Sequence, residues 1–536
     1  VPNQGYLGID TFTYQICDGL GGCSNANVVL NVLANDGAEN AGITACNKSV
    51  GGPVNVTNGN MYLQQADYVL PGIGPAINVD RTYNSVSQSI GLFGKGWSTV
   101  YDESIKVYNS TYVRWFRADG QATNFMRASG SGPFAAVEGD FFGSLTQAGD
   151  GSFTVTFADG SLHRFNSAGK LAALVDRNNN QTALTYSTAS RLTSITDPFG
   201  RVLTATTNTN GRVTLLKDAL ANVATYTYGA SNELLAVTYP DNSAFHFAYT
   251  TSNGNLVLGT VTDALGNIVE THLYDSAGRA VSSEKQGGVE RYTLSFVSST
   301  ETDATDASGH VTRYFFDGSK GRNLVTSVEG LCSCGGGSQT QSWIYDGDLN
   351  VASHTNALGQ TVSYTYDGNG NQLTGTSILG TSTFTYNQFS EVLTATDAMG
   401  GVTINTYDGS GKLLSVKDAL DHTTNFTYDP RGQLLTMTNP LGKTTTLTWD
   451  TSGRLTQTKD ALNNITAYVY DVRARMTKAI DALASATSLA YDGANRLIKV
   501  TRADNSIIAY TYDLAGRRTK ITDPLKNALL LMAPIG

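Results

Sequence analysis

Charge is scarce in this sequence: 15% of its 536 residues are Asp, Glu, Lys or Arg, against ~25% in ordinary soluble domains. What charge there is runs acidic, 36 Lys and Arg against 45 Asp and Glu, for a formal net charge of −9. Nucleic-acid binding rests on a basic stripe that neutralises phosphates, so this balance argues against DNA or RNA as a partner. The longest apolar run is Ala528 to Met532, followed by Ala533, Pro534 and Ile535, far short of the ~20 residues that span a bilayer as a helix. Residue 1 is Val, and no charged-then-apolar leader follows it. The chain therefore reads as processed or partial, with any signal peptide already gone. Catalytic signatures are missing too. The six histidines (163, 246, 272, 310, 354 and 422) are scattered, and no HExxH, GxSxG or P-loop pattern occurs. Disorder is excluded in turn, because 40% hydrophobic residues with 27 Tyr and 19 Phe can bury a core.

What is present is a repeat. Tyr-Asp pairs fall at Tyr345-Asp346, Tyr366-Asp367, Tyr407-Asp408, Tyr428-Asp429, Tyr470-Asp471, Tyr491-Asp492 and Tyr512-Asp513, with Tyr386-Asn387 and Trp449-Asp450 filling the two remaining slots. A second series, out of phase with the first, includes Asp397-Ala-Met-Gly, Asp418-Ala-Leu-Asp, Asp460-Ala-Leu-Asn and Asp481-Ala-Leu-Ala. Apart from one step of 20, from Tyr366 to Tyr386, both step by 21 residues, so each repeat holds two turns. Between them the residues alternate, as in Thr423-Thr-Asn-Phe-Thr-Tyr428, the period-two pattern of a strand with one covered face. Asp-Pro-Arg-Gly at 429–432 is turn chemistry, Asp bonding its own backbone and Gly supplying positive φ. The expectation is an all-β chain of hairpin-connected antiparallel strands, 40–45 of them at ~4.8 Å spacing, curling because sheets twist. Arg473 to Leu489 is rich in Ala and suits a helix on propensity, but the phase of Asp471, Asp481 and Tyr491 makes it strand.

The grammar continues upstream in eroded form, at Asp197-Pro-Phe-Gly, Asp218-Ala-Leu-Ala, Asp263-Ala-Leu-Gly and Tyr274-Asp275-Ser-Ala-Gly-Arg279. These residues resemble the RHS/YD-repeat family of bacterial surface and toxin-carrier proteins, from roughly Pro53 to Lys526. Gly52-Pro-Val-Asn-Val-Thr-Asn-Gly-Asn60, Arg81-Thr-Tyr-Asn-Ser85 and Phe93-Gly-Lys-Gly-Trp97 resemble the segment that opens such proteins. The resemblance implies a spiralling antiparallel β-sheet wound into a shell or half-shell, often around a C-terminal toxin. It divides the chain into an opening segment at 53–128, degenerate repeats with insertions at 129–340, regular repeats at 341–528 and an apolar tail at 529–536. The family's C-terminal core segment, which carries its Asp-Pro-x-Gly self-cleavage region, is expected to be missing here, which argues against carrying cargo and autoproteolysis over to this chain.

Residues 1–34 resemble the last strands of a bacterial Ig-like or cadherin-like domain, and 35–52 read as a linker. A whole sandwich needs ~100 residues, so most of one is expected to be missing, and the repeat at the other end stops where a further Tyr-Asp falls due. Cys17 and Cys23 flank a Gly-rich turn, and a disulfide between them suits an exported hairpin. For Cys332 and Cys334, a local disulfide, a pairing with Cys46 and free thiols all stay open. The reading is a non-enzymatic structural protein without metal or cofactor, secreted or on the bacterial surface, forming a wall, shell or spacer. Its alternatives are a toxin-enclosing shell, a fibre subunit and an adhesin. Expected partners are further copies of the chain through open sheet edges, a protein cargo or a surface ligand.

Overall fold

The computed structural model describes residues 7–17, 23–34, 38–42, 48–128, 132–331, 338–513 and 516–530. Its regular structure among these residues is strand, with three short 3-10 turns and no α-helix. One antiparallel sheet of 37 strands runs from Gly143–Gln147 to Ala528–Leu530, every strand paired with its neighbours in the sequence. The Ala-rich stretch that propensity favours as helix forms the strands Met476–Ile480 and Ala486–Tyr491. Phase outweighs propensity there because each backbone group finds its ladder partner only in register. Smaller sheets precede the large one: the hairpin Gly8–Cys17 with Cys23–Val32, a three-stranded sheet on Tyr62–Leu70, Ile77–Asn84 and Trp97–Ser98, and a four-stranded sheet between Ser104 and Ala136.

The large sheet bends at fixed intervals. In each regular repeat the register slips by one residue at the Tyr-Asp tyrosine: Thr365 pairs with Thr374, whereas Tyr366 pairs with Gln372. The same slip recurs at Thr406/Tyr407, Thr427/Tyr428, Thr448/Trp449, Val469/Tyr470 and Ala490/Tyr491. A bulge bends its strand and increases the local twist, so one bulge per hairpin curls the sheet continuously. Threonines opposite one another close hydroxyl pairs on one face, Thr365–Thr374 at 2.7 Å and Thr427–Thr436 at 2.6 Å, which accounts for the Thr-rich alternation.

The curl returns the chain to itself. Asn180 Nδ2 donates to the Arg431 carbonyl at 2.9 Å across 251 residues, and Arg473 Nε donates to Asp218 at 2.6 Å across 255. The turn after Ile465–Tyr470 thus seats on the turn after Val213–Lys217, 23 strands earlier. At ~4.8 Å per strand one circuit measures roughly 110 Å around, or about 35 Å across. The 37 strands make more than one and a half circuits of a spiral.

The core lies in the first circuit. The chain from Val50 to Phe134 contributes Val54, Met61, Ile77, Trp97 and Phe125, which pack with Ile195, Leu216, Phe247, Val261 and Val325 of the sheet. Its contacts reach from Thr182, whose hydroxyl donates to Pro75 O, to Asn323, whose side chain donates to Thr57. That is an arc of roughly 65 Å around a segment only ~30 Å in diameter, so the sheet wraps the segment. Past Leu349 no apolar residue is buried among the described residues. The second circuit is a bare wall.

Where it is described, the stretch 35–52 is docked: Arg114 binds Glu39, and Asn323 N–H donates to Asn40 Oδ1 at 2.8 Å. The start of the apolar tail joins the sheet, Ala528–Leu530 pairing with Lys520–Thr522. Residues 531–536 lie outside the described residues.

Candidate functional site

Each Tyr-Asp motif divides its work between two residues. The aspartate builds the hairpin: Asp367 Oδ1 accepts the N–H of Asn369 and Asn371, both at 2.9 Å, while the Gly370 N–H returns to the Asp367 carbonyl. A type I turn followed by one left-handed residue results. The second series is built identically, Asp397 taking the N–H of Met399 and Gly401 at 2.8 Å. The tyrosine braces the neighbouring repeat. The hydroxyls of Tyr345, Tyr366, Tyr386, Tyr407, Tyr491 and Tyr512 donate to backbone carbonyls 14–20 residues earlier at 2.7–3.0 Å. Trp449 Nε1 does the same to Leu434 O at 2.8 Å. A ring ending in a donor is what the slot requires, so Trp replaces Tyr there.

These hairpins alternate between two edges of the ribbon, and the edges meet as a seam. Along the Tyr-Asp edge, arginines four residues after the aspartate hold it and reach the next turn. Arg454 Nε donates to Asp450 at 2.7 Å and Nη1 to Asp471 O at 2.8 Å; Arg475 repeats this on Asp471 and Asp492 O. Across the seam, Arg473 binds Asp218, Arg496 binds Asp241, and Arg517 lies 3.9 Å from Asp263. Asp218 also accepts the Tyr68 hydroxyl at 3.3 Å, so first circuit, second circuit and opening segment join at one carboxylate. Burial opposes its charge, yet the Arg473 guanidinium and the N–H groups of Ala221 and Leu220 hold it below the usual carboxylate range.

The opening segment is pinned by further buried polar groups. The Arg81 guanidinium, with no side-chain exposure, binds Asp67 at 2.5 Å and lies 4.6 Å from the Trp97 ring centre. Asp67 also accepts the hydroxyls of Tyr226 at 2.6 Å and Tyr239 at 2.7 Å from the sheet. Removing one partner of such a pair costs ~3–5 kcal/mol, because the other charge stays buried. Beside Arg212, which donates to the Ile90 and Gly91 carbonyls, burial pushes the Asp102 carboxyl up to about 7.

The nearest approach to a catalytic constellation is Ser283, His272 and Glu270. His272 Nδ1 lies 3.0 Å from Ser283 Oγ, and its Nε2 is 3.5 Å from Glu270. Ser283 and His272 are buried, and the serine hydroxyl donates to Gly52 O at 2.9 Å. The buried hydroxyl is already committed to a backbone carbonyl, so the three groups pin the strand to the opening segment.

Of the other histidines, His310 and His422 sit on turn aspartates 306 and 418, His354 stacks on Trp343, and His163 bonds Glu103. Among the described residues no three His, Cys, Asp or Glu groups are placed to hold a metal, and no helix is long and apolar enough to cross a membrane. The backbone register sets Cys17 opposite Cys23, a spacing that the 4.4–6.8 Å Cα separation of a disulfide accommodates. Cys46, Cys332 and Cys334 lie outside the described residues. Sequence reasoning missed the seam. Arg473, Arg496 and Arg517 occupy ordinary turn positions, and nothing local points to partners some 250 residues away.

Comparison with known proteins matches residues 51–125 to a domain of unknown function, DUF6531, residues 320–507 to the teneurin YD-shell, and residues 165–202 and 491–528 to the RHS repeat. The tRNA nuclease WapA of Bacillus subtilis is 30% identical over 137 residues, 25% of this chain. The tRNA3(Ser)-specific nuclease WapA of Bacillus spizizenii matches to the same extent. The chain spans about 6% of the length of these curated relatives. Among solved structures, the Tc holotoxin pore of Photorhabdus luminescens superposes with a TM-score of 0.51 at 13% identity, covering 85% of this chain and 27% of that one. The periodic Tyr-Asp hairpins, the spiral sheet and these matches together make the chain a member of the RHS/YD-repeat family.

Proposed function

We propose that this chain is a structural wall, a non-enzymatic spiral that encloses a space at or outside the bacterial surface. One observation carries the reading: the second circuit stands edge to edge on the first, while residues 48–128 occupy the first circuit from within. A tube packed at one end and bare beyond Leu349 is the start of a container. A protein cargo in the bare part is the corresponding partner, in keeping with the toxin named in the structural match. The nuclease activity named for the WapA proteins is not carried across. The match covers 137 residues of very long chains, and a net charge of −9 opposes phosphate binding.

Electron cryomicroscopy of the purified chain tests this. The expected particle is a two-tier ring about 35 Å across with density filling the lumen of one tier only. A flat or extended sheet, or a lumen filled throughout by the chain itself, contradicts the proposal.

A further inference from the structure

Three successive Tyr-Asp slots of the first circuit lack the aspartate but keep the cation that follows it. They read Phe165-Asn166, Tyr186-Ser187 and Thr207-Asn208, and four residues after the turn opens stand Lys170, Arg191 and Arg212. Neutral acceptors build these turns: Asn166 Oδ1 takes the N–H of Ala168 and Lys170, and Asn208 Oδ1 that of Asn210 and Arg212, at 2.9–3.1 Å. At the same repeat position Arg279, Arg454, Arg475 and Arg496 each bind the aspartate that opens their turn, at 2.7 Å. Lys170, Arg191 and Arg212 donate instead to the carbonyls of Ser190, Thr209 and Ile90, at 2.5, 2.6 and 2.9 Å. Among the described residues none of the three forms an ion pair, and burial works against the charge of the half-buried Arg212.

These three cations line one lobe of a groove, about 390 Å³, where the turns meet the opening segment. A second lobe of about 690 Å³ shares Gly91 and Asp102 with the first. Lys106 and Arg117 line it as well, again without an ion pair among the described residues, together with five serines that include Ser89 and Ser104. Asp102 is the one acid that lines either lobe. In a chain of net charge −9 this is a local concentration of positive charge. Its walls are internal segments, 87–120 and 167–212.

We infer that this groove binds an acidic polysaccharide, with its anions on Lys170, Arg191 and Arg212 and its hydroxyls against the serines. Two strands separate each of these cations from the next, so they recur every ~10 Å along the edge. A glycan with one carboxylate on every second sugar presents its charges at such a wide spacing. Duplex DNA carries one charge every ~1.7 Å, too dense for so sparse a row. The serine hydroxyls suit a ligand that is itself rich in hydroxyls, and a carboxylate beside Arg212 offsets the cost of holding that cation half-buried. The groove is a contact for a surface ligand, separate from any cargo within the spiral.

Titration calorimetry of the full chain with a hyaluronan decasaccharide, which carries one carboxylate per disaccharide, tests this at ~50 mM and ~200 mM salt. Saturable binding that weakens with salt is expected, and a neutral chitin oligosaccharide of the same length binds more weakly. Asn166→Asp, Ser187→Asp and Asn208→Asp together give each cation the carboxylate that other turns supply. This variant keeps the turns and the circular dichroism and weakens binding roughly tenfold or more. Lys170→Gln with Arg191→Gln, which leaves every turn acceptor in place, weakens it in the same direction. Absence of hyaluronan binding, equal affinity for the neutral oligosaccharide, tighter binding of a DNA oligonucleotide, or either variant binding as the wild type does overturns the inference.

Discussion

At the fourth position of most hairpin turns the backbone takes a positive φ, and the residue there decides what the turn costs. Gly400, Gly442 and Gly453 meet it freely, and Asn463 and Asn495 tolerate it. Ala484 stands at φ 62° with neither advantage, in an exposed turn. Ala484→Gly is therefore expected to raise stability by about 1 kcal/mol, and Gly442→Ala to lower it by a similar amount, read from urea midpoints. This part of the structure was legible in the sequence. Asp at the first position and Gly or Asn at the fourth announce the turn before any coordinates, and the 21-residue phase carries them through copies such as Asp481-Ala-Leu-Ala. The role of the tyrosines was legible only as packing. Their hydroxyl bonds to carbonyls one repeat back were not, although Trp449, the other aromatic with a donor, is the hint the sequence offers.

The hairpin with its bulge is the element on which the curl depends. Tyr491 sits at the register slip and donates to Met476 O at 2.9 Å. Tyr491→Phe keeps the ring and leaves that carbonyl without this donor, for an expected loss of about 1 kcal/mol and faster amide exchange in Met476–Ile480 and Ala486–Tyr491. Unchanged exchange in both strands would show that the hydroxyl does not brace the repeat. Period-two alternation between aspartate turns made the strands and their antiparallel pairing readable, even through Arg473–Leu489. The bulge was not, because a one-residue slip leaves no mark on a repeat whose every copy contains it.

For the whole molecule, a long curling sheet follows from the repeat, but its pitch does not. How many strands close a circuit depends on the summed bend of all the bulges, and on which turns find partners across the seam. The same holds for the opening segment. Asp67 and Arg81 look like surface residues of a strand, and only the arrival of Tyr226 and Tyr239 makes them the buried pin of the first circuit. The docking of Glu39 and Asn40 was illegible for the same reason, since their contacts, Arg114, Arg322 and Asn323, are distant in sequence. The spiral stands or falls with contacts between residues some 250 apart. The most direct test is a double-mutant cycle on Asp218 and Arg473, with Asp218→Asn, Arg473→Gln and the pair compared by urea unfolding. Stacked circuits predict a coupling of about 2 kcal/mol between two residues 255 positions apart. Strictly additive effects would mean that the second circuit does not rest on the first.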